Sequence, residues 1–192
     1  MITLESLSSG KLVGIIKKGG VGVIPTDTIY GLVGKALSRK TVEKVYQLKQ
    51  RDPKKPLIIL IGKTDDLKLL GVKLDKDTKK ILQKYWPGKV SIILPCPHKK
   101  FSYLHRGTRT LAFRLPNHPN LVNLLKKTGP LIAPSANPEA KEPTKTIKEA
   151  KKYFGEKINF YVDVGRLESL PSTLILIKDQ KIEVLRQGEV KT

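Results

Sequence analysis

Short apolar runs of strand length alternate along this chain with segments of helical periodicity, and this alternation limits the folds that it can adopt. The run LIILI at Leu57–Ile61 is apolar at every position, which is typical of a strand that helices cover on both faces. The preceding segment Arg39–Lys49 repeats apolar residues with the 3.6-residue period of a helix packed on a core. Because strands and helices do not alternate strictly, the pattern predicts an α/β fold with a twisted mixed β-sheet and flanking helices.

The predicted elements follow one another with short connections. The predicted strands are Val21–Pro25, Leu57–Ile61, Val90–Leu94, Leu111–Leu115, Leu131–Ala133, Asn159–Val162, Thr173–Ile177 and Ile182–Arg186. The predicted helices are Arg39–Lys49, Asp77–Tyr85, Pro119–Lys127 and Ile147–Phe154. No repeat, low-complexity segment or long linker divides the sequence, so we expect residues 1–192 to form a single domain.

The chain is strongly basic, with 37 Lys and Arg residues against 17 Asp and Glu and a net charge of +20. A charge of this sign attracts polyanions such as nucleic acids and nucleotides. The alternative is a lysine-rich surface that serves solubility or thermal stability without a specific partner. Arginine is the better guide to specific contacts, because its forked guanidinium group matches the geometry of phosphate and carboxylate.

Several classes of protein are excluded by simple counts. No apolar run is long enough to span a bilayer, and the N-terminal residues lack the cationic and apolar pattern of a secretory signal. The single cysteine, Cys96, excludes an intramolecular disulfide, and no Cys/His cluster has zinc spacing. We expect a soluble cytoplasmic protein that does not bind membranes, with His98, His105 and His118 on its surface.

A polar turn follows the predicted strand Val21–Pro25 and ends at a glycine. The segment PTDTIYGL presents Thr26, Asp27 and Thr28 at the end of that strand. Ligands of α/β sheets bind in the crevice beyond strand ends, where hydroxyl groups can orient a polar substrate. Taken alone, the segment slightly favours the alternative that Thr26 and Asp27 only satisfy backbone groups of the turn.

Four cations lie within the segment KQRDPKKP, at the end of a predicted helix and before the LIILI strand. Lysine and arginine side chains in this place can clamp the phosphates of a nucleotide, and the two prolines limit the entropy lost on binding. Alternatively, the cations complement the helix dipole and the prolines end the helix. Both interpretations are compatible, although Arg51 lies beyond the last helical turn.

The predicted strand TLAFR places Thr110, Ala112 and Arg114 on one face of the sheet. A buried arginine is costly unless it meets an anion. The anion is either a neighbouring acidic side chain or a bound ligand, and the sequence favours neither.

The small residues of Ala133–Asn137 allow a ligand to approach the backbone closely, and Ser135 and Asn137 add a hydroxyl and an amide. Taken alone, this segment is an ordinary loop. The sequence contains neither GxxxxGK[ST] nor GxGxxG, so it does not predict either of those nucleotide sites.

Together and in this order, these segments resemble the YrdC family of threonylcarbamoyl-AMP synthases. The quoted matches are PTDTIYGL, LKQR followed by KPL, YWPGKVSIIL, TLAFRLPNHP and PLIAPSAN, and then VDVG, ST at 172–173 and VLRQGEV. The resemblance runs from about Gly19 to Val190 and implies a short, single YrdC-like domain with a basic concave face. The chain departs from many relatives at Pro138–Lys141, where they continue with a Ser-Gly pair, so this loop is expected to differ.

The resemblance implies a reaction in which L-threonine, bicarbonate and ATP give threonylcarbamoyl-AMP and pyrophosphate. The product serves the N6-threonylcarbamoyladenosine modification at position 37 of tRNA, so tRNA or the tRNA threonylcarbamoyl transferase machinery is a possible partner. Magnesium is expected with ATP, with no dedicated protein ligands. No nucleophile or general base is expected, because such a reaction depends on positioning substrates and neutralising phosphate charge.

Residue roles follow from the positions that match the family's motifs. The resemblance assigns Thr28 and Arg114 to threonine. It assigns to the nucleotide Lys49, Arg51, Lys55, Thr110, Ser135, Asn137 and Arg186.

Two other functions stay open at this point. The charge of +20 also suits an RNA-binding module, for double-stranded RNA or tRNA, without catalysis. The chain also resembles a domain of hydrogenase-maturation carbamoyltransferases that uses carbamoyl phosphate, but it has no acylphosphatase-like or zinc-finger segment.

Overall fold

The structure is a computed structural model that describes residues 1–178 and 181–191. Its strands are β1 (Ile2–Leu4), β2 (Gly22–Pro25), β3 (Tyr30–Lys35), β4 (Ile58–Leu60), β5 (Val90–Pro95), β6 (Thr110–Arg114), β7 (Leu131–Ile132), β8 (Phe160–Val162), β9 (Thr173–Lys178) and β10 (Lys181–Arg186). Within the described residues they form one sheet in the order β1-β8-β2-β3-β7-β4-β6-β5-β9-β10.

The sheet is mixed, as the sequence predicts. Parallel pairs are β1/β8, β2/β8, β4/β6 and β5/β9, and antiparallel pairs are β2/β3, β3/β7, β4/β7, β5/β6 and β9/β10. This confirms the predicted α/β fold with a twisted mixed sheet and flanking helices. A single domain over residues 1–192 and a basic concave face stay predictions.

The helices are α1 (Gly10–Lys17), α2 (Arg39–Lys49), α3 (Lys76–Tyr85), α4 (Ser102–His105), α5 (Pro119–Thr128) and α6 (Ile147–Phe154). Short 3-10 turns occupy Thr64–Leu70, Lys99–Phe101 and Gly155–Lys157. The predicted bounds of α2 and α6 are confirmed, because each helix has a hydroxyl cap: the side chains of Ser38 and Thr146 accept hydrogen bonds from Thr41 N and Glu149 N. Among the described residues, no helix has the length and apolarity to cross a membrane.

The sequence patterns do not predict β1, α1 or β3. β3 carries two glycines, which strands usually avoid. The structure gives the reason at Gly34, where a Cβ atom would lie 2.4 Å from Cγ2 of Thr41 on α2. The close approach of this helix therefore requires glycine within the strand.

Helices cover one face of the sheet more completely than the other. On the first face, Val23, Ile59 and Phe113 belong to a core that α2 and α6 cover. On the second face, α1 and α5 pack on residues of β2, β3, β4, β7 and β8. Over β6, β5 and β9 the second face is open, because its residues Ala112, Ile93, Leu174 and Leu176 are only half-buried.

The prediction that all three histidines lie on the surface is wrong for His105. His98 is exposed and His118 is half-buried at the start of α5, where its Nδ1 accepts a hydrogen bond from Leu121 N. His105 is 5% exposed. It ends α4, a single helical turn too short to be recognised from periodicity, and this turn places His105 beside the buried Leu104.

Candidate functional site

A cavity of about 210 Å³ lies where the cover of α1 and α5 ends and the open face of the sheet begins. We call it the arginine cleft, after the three arginines among its lining residues. The lining comes from eight separated stretches of the chain: the turn residues Thr26 and Thr28–Gly31, then Arg51, Pro56–Ile58, Arg114, Ala133–Ser135, Pro143, Pro171–Ser172 and Arg186. Five of the nine site residues predicted from the sequence line it, namely Thr28, Arg51, Arg114, Ser135 and Arg186.

The turn between β2 and β3 orients Thr28. Oγ1 of Thr26 donates to the carbonyl of Ile29 at 2.7 Å and accepts a hydrogen bond from Thr28 N at 3.1 Å. The two threonine hydroxyls are 3.0 Å apart. Thr26 therefore satisfies backbone groups of the turn, as one sequence interpretation holds, and the same turn fixes the Thr28 hydroxyl at the cleft.

Asp27 has a different role from the one that the turn interpretation gives it. Its Oδ1 lies 3.1 Å from Nη2 of Arg114, and both side chains are almost fully buried, at 3% and 4% exposure. Oδ2 accepts a hydrogen bond from Asn117 N at 3.3 Å. Asp27 is thus the neighbouring acid that the sequence left open as a partner for Arg114.

Arg114 also lines the cleft, so its pairing with Asp27 is shown and its contact with a bound ligand stays a prediction. Its Nη1 donates to Oγ1 of Thr28 at 3.3 Å, and its Nε has no hydrogen-bond partner among the described residues. Burial lowers the pKa of Arg114, the Asp27 carboxylate opposes this shift, and the Arg186 cation adds to it. The guanidinium group is held in place by Asp27 and Thr28 with a donor still unused.

The other two arginines of the cleft are fixed by backbone carbonyls. Arg51 donates from Nε to Lys55 O and from Nη2 to Pro56 O, both at 3.2 Å. Arg186 donates from Nη2 to Ser172 O at 2.8 Å. Arg186 is exposed as a whole residue, but partial desolvation of its guanidinium group, followed by the nearby Arg51 cation, lowers its pKa. Since the cleft lining contains three arginines and no Asp or Glu, the cleft is suited to an anion.

Lys49 and Asn137 lie behind the cleft wall and do not line it. Lys49 is 1% exposed, and its Nζ donates to Ser135 O at 2.7 Å and to Asn137 O at 2.6 Å. Burial, followed by the Arg51 cation, lowers the pKa of Lys49 to about 7. In this structure Lys49 fixes the loop that presents Ser135, and contact of Lys49 and Asn137 with a nucleotide stays a prediction.

Lys55 and Thr110 also lie outside the cleft lining. Lys55 is exposed and pairs at 2.8 Å with Glu139, whose other oxygen accepts a hydrogen bond from Asp52 N at 2.7 Å. Glu139 belongs to the stretch that departs from many relatives. Thr110 begins β6, at the opposite end from Arg114, and donates to Thr108 Oγ1 at 3.3 Å. The nucleotide contacts assigned to Lys55 and Thr110 stay predictions.

Sequence reasoning missed Ser172 and the pairing of Asp27 as parts of the site. Ser172 lies next to Arg186 and forms a hydrogen bond with Ser91 at 2.8 Å. The motif ST at 172–173 was a usable signal for Ser172. No pattern pairs Asp27 with Arg114, because they are far apart in the chain.

Comparisons with known proteins agree on one family. A family model called Sua5_yciO_yrdC, described as telomere recombination, matches residues 14–188. A putative threonylcarbamoyl-AMP synthase of Methanocaldococcus jannaschii is 34% identical over 177 residues, covering 91% of this chain and 83% of that protein. The threonylcarbamoyl-AMP synthase of Bacillus subtilis is 33% identical over 180 residues, covering 92% of this chain and 52% of that protein.

A solved structure also matches. The crystal structure of Pyrococcus abyssi Sua5 complexed with L-threonine has a TM-score of 0.85 and 26% identity, and the match covers 98% of this chain and 57% of that one. The chain thus spans about half the length of the Bacillus subtilis and Pyrococcus abyssi relatives. The family resemblance seen in the sequence is confirmed. The family model matches residues 14–188, a range that includes every stretch lining the arginine cleft. This chain therefore belongs to the Sua5/YciO/YrdC family.

Proposed function

We propose that this chain makes threonylcarbamoyl-AMP and pyrophosphate from L-threonine, bicarbonate and ATP. The names of the relatives support this activity, as does the L-threonine bound to the Pyrococcus abyssi protein. The observation that carries the proposal is the convergence of Arg51, Arg114 and Arg186 on one cleft whose lining contains no carboxylate.

The proposed chemistry needs little from side chains beyond positioning and charge. The threonine amine forms a bond to the carbon of bicarbonate, and water is lost. An oxygen of the resulting carbamate then bonds to the α-phosphorus of ATP, while the bond from that phosphorus to pyrophosphate breaks. Negative charge builds on the phosphate oxygens during this step, and fixed cations stabilise it.

The geometry suggests a division of labour within the cleft. Arg51 and Arg186, held by backbone carbonyls, take the phosphates together with the Ser135 hydroxyl. Arg114 and Thr28, hydrogen-bonded to each other, take the carboxylate and hydroxyl of threonine. Because the three arginines are already fixed by hydrogen bonds before the substrates bind, little reorganisation is required in the transition state.

Magnesium is proposed to enter the site with ATP. The described residues contain no group of three or more His, Cys, Asp or Glu side chains that can hold a metal ion. The Asp27 carboxylate is already paired with Arg114. We therefore propose that phosphate oxygens and water hold the magnesium ion, and that the three arginines of the cleft complete the neutralisation of the phosphates.

The product and the charge of the chain suggest the partners. We propose that the product serves N6-threonylcarbamoyladenosine formation at position 37 of tRNA, in the cytoplasm. The net charge of +20 supports contact with tRNA or with a transferase that holds it.

Pyrophosphate release tests the activity. The purified protein with ATP, magnesium, bicarbonate and L-threonine is expected to release pyrophosphate only when threonine is present, and carbamoyl phosphate is not expected to replace bicarbonate. Arg51→Ala should lower kcat/KM for ATP by about 100-fold, the usual effect of losing one fixed donor to the developing charge. Arg166→Ala, which removes an exposed arginine outside the cleft, is the matched control and should leave the rate unchanged. Release that does not depend on threonine would overturn the proposal.

The RNA-binding module is the second candidate, and the charge of +20 is the observation that favours it. It predicts tight, salt-dependent binding of double-stranded RNA without any turnover of ATP. If Arg51→Ala abolished RNA binding and no pyrophosphate were released by the unmodified protein, this function would replace the synthase.

A further inference from the structure

A second cavity of about 570 Å³ lies outside the arginine cleft and shares no lining residue with it. We call it the Trp86 cavity. It lies between the 3-10 turn Thr64–Leu70 and helix α3. Its lining residues are Thr64, Asp65, Leu67, Lys68, Val72, Lys73, Leu74, Lys79, Leu82, Gln83 and Trp86. Its volume is in the range of about 300–1,000 Å³ that small-molecule sites usually occupy.

The floor of the Trp86 cavity is apolar and fixed. Leu67, Val72, Leu82 and Trp86 are all buried. Indole Nε1 of Trp86 donates to Val90 O at 2.8 Å, so its hydrogen-bonding need is met within the protein. A ligand that reaches this floor therefore has to offer apolar surface, because no unused polar group on Trp86 awaits it.

The rim of the cavity carries the opposite chemistry. Lys68, Lys73 and Lys79 are exposed and line it. The acidic lining residue, Asp65, is paired with Lys68 at 2.6 Å. Asp75, the nearby carboxylate at the start of α3, accepts a hydrogen bond from Thr78 N at 2.6 Å. In the described part of the chain, neither Lys73 nor Lys79 has a carboxylate within 4.0 Å, so two cations of the rim are available to a ligand.

We propose that the Trp86 cavity binds an amphipathic organic anion, with a flat apolar body about as large as naphthalene and a carboxylate or sulfonate group. The apolar body lies on the floor formed by Leu67, Leu82 and Trp86, and the anionic group lies between Lys73 and Lys79. This site is separate from the one proposed for ATP and threonine, and its test does not depend on the proposed activity.

The chain contains a built-in reporter, because Trp86 is its single tryptophan. In a nitrogen-15-labelled sample of the whole protein, the indole N–H gives one unambiguous cross-peak. Titration with 2-naphthoate is expected to move this peak in a saturable way. Titration with 2-naphthylmethylamine, which has the same ring and the opposite charge, is expected to give no saturable shift.

Paired charge reversals test the rim. Lys73→Glu/Lys79→Glu should weaken 2-naphthoate binding by about tenfold or more, since two attractive contacts become repulsive. The control Lys148→Glu/Lys152→Glu changes the net charge equally, on exposed positions of α6, and should leave the affinity within about twofold.

Three results would overturn the proposal. They are an indole peak that does not move up to the solubility limit of 2-naphthoate, equal shifts with the amine, and equal weakening by both double variants. The comparison of the two probes on unmodified protein decides the question even if a charge-reversed variant does not fold.

Discussion

The buried pair of Asp27 and Arg114 allows a sharp test of how the arginine cleft is held together. Asp27→Asn keeps the size of the side chain and an oxygen that can accept from Asn117 N, but it removes the charge that faces Arg114 at 3.1 Å. Arg114 is 4% exposed, so its charge stays out of water. Removing one partner of a buried ion pair typically costs 3–5 kcal/mol. We expect the free energy of unfolding to fall by about 3 kcal/mol, because an amide oxygen that keeps the hydrogen bond from Asn117 N turns the amide NH2 group, a donor, toward the Arg114 guanidinium.

Glu168→Gln is the matched control for this prediction. It makes the same chemical change in an ion pair with Arg166, whose side chains are 55% and 59% exposed. Exposed pairs are largely screened by water, so the unfolding free energy should stay within experimental error of the unmodified protein.

Urea unfolding followed by the fluorescence of Trp86 measures both variants, and threonine titration measures the site. Because Asp27 positions Arg114, Asp27→Asn should also raise KM for threonine more than KM for ATP. If Asp27→Asn were no more destabilising than Glu168→Gln, the pair would not be buried as described and the reasoning would fail.

Two further predictions concern the loop beside the cleft and the packing of the sheet. Lys49→Met leaves the carbonyls of Ser135 and Asn137 without their buried donor, so the free energy of unfolding should fall by about 2 kcal/mol near neutral pH. Since burial lowers the pKa of Lys49 from 10.5 to about 7, the unfolded chain holds this proton over a range where the folded chain releases it. The advantage of the unmodified protein over Lys49→Met in urea unfolding should therefore grow as the pH rises from about 7 toward 10.5, and an advantage that shrinks would contradict this account. In the sheet, a Cβ atom at Gly22 would lie 2.3 Å from Phe160 O, so Gly22→Ala should lower the melting temperature and reduce the free energy of unfolding by about 2 kcal/mol or more. Gly14 of α1 has open space around its Cβ position, so the control Gly14→Ala should raise the free energy of unfolding by about 1 kcal/mol. Equal effects of the two alanines would show that β2 and β8 are not packed this closely.

Local chemistry explains which elements the sequence predicts well. α2 and α6 combine an apolar stripe with a hydroxyl cap, and both signals lie within the segment itself. The strand LIILI is recognisable because every position is apolar, with Ile59 in the core of the first face and Leu60 in the core of the second.

The missed elements depend on distant partners. The glycines of β3 oppose a strand assignment until Thr41 on α2 is seen to need the space beside Gly34. α1 contains Gly10 and Gly14, which weaken its helical pattern, yet Leu12 and Ile16 are fully buried in the second-face core. Tertiary packing overrides local propensity in both cases.

The candidate site shows the same division. The residue types of the site and their order along the chain can be recognised in the sequence. The structural roles of Lys49 and Asp27 cannot. Lys49 lies in a cationic segment that suggests a surface contact with phosphate, and the fold instead buries it against two carbonyls of a loop 86 and 88 residues away. The Asp27–Arg114 pair likewise joins the turn after β2 to the end of β6, which no local pattern connects.

The most direct test that the arginine cleft binds both substrates is a crystal structure of this protein with ATP and L-threonine. We predict difference density for both in the arginine cleft, with phosphate oxygens in hydrogen-bond contact with Arg51 and Arg186 and the threonine carboxylate in contact with Arg114. Density for the nucleotide on a surface that none of these three arginines reaches would contradict it.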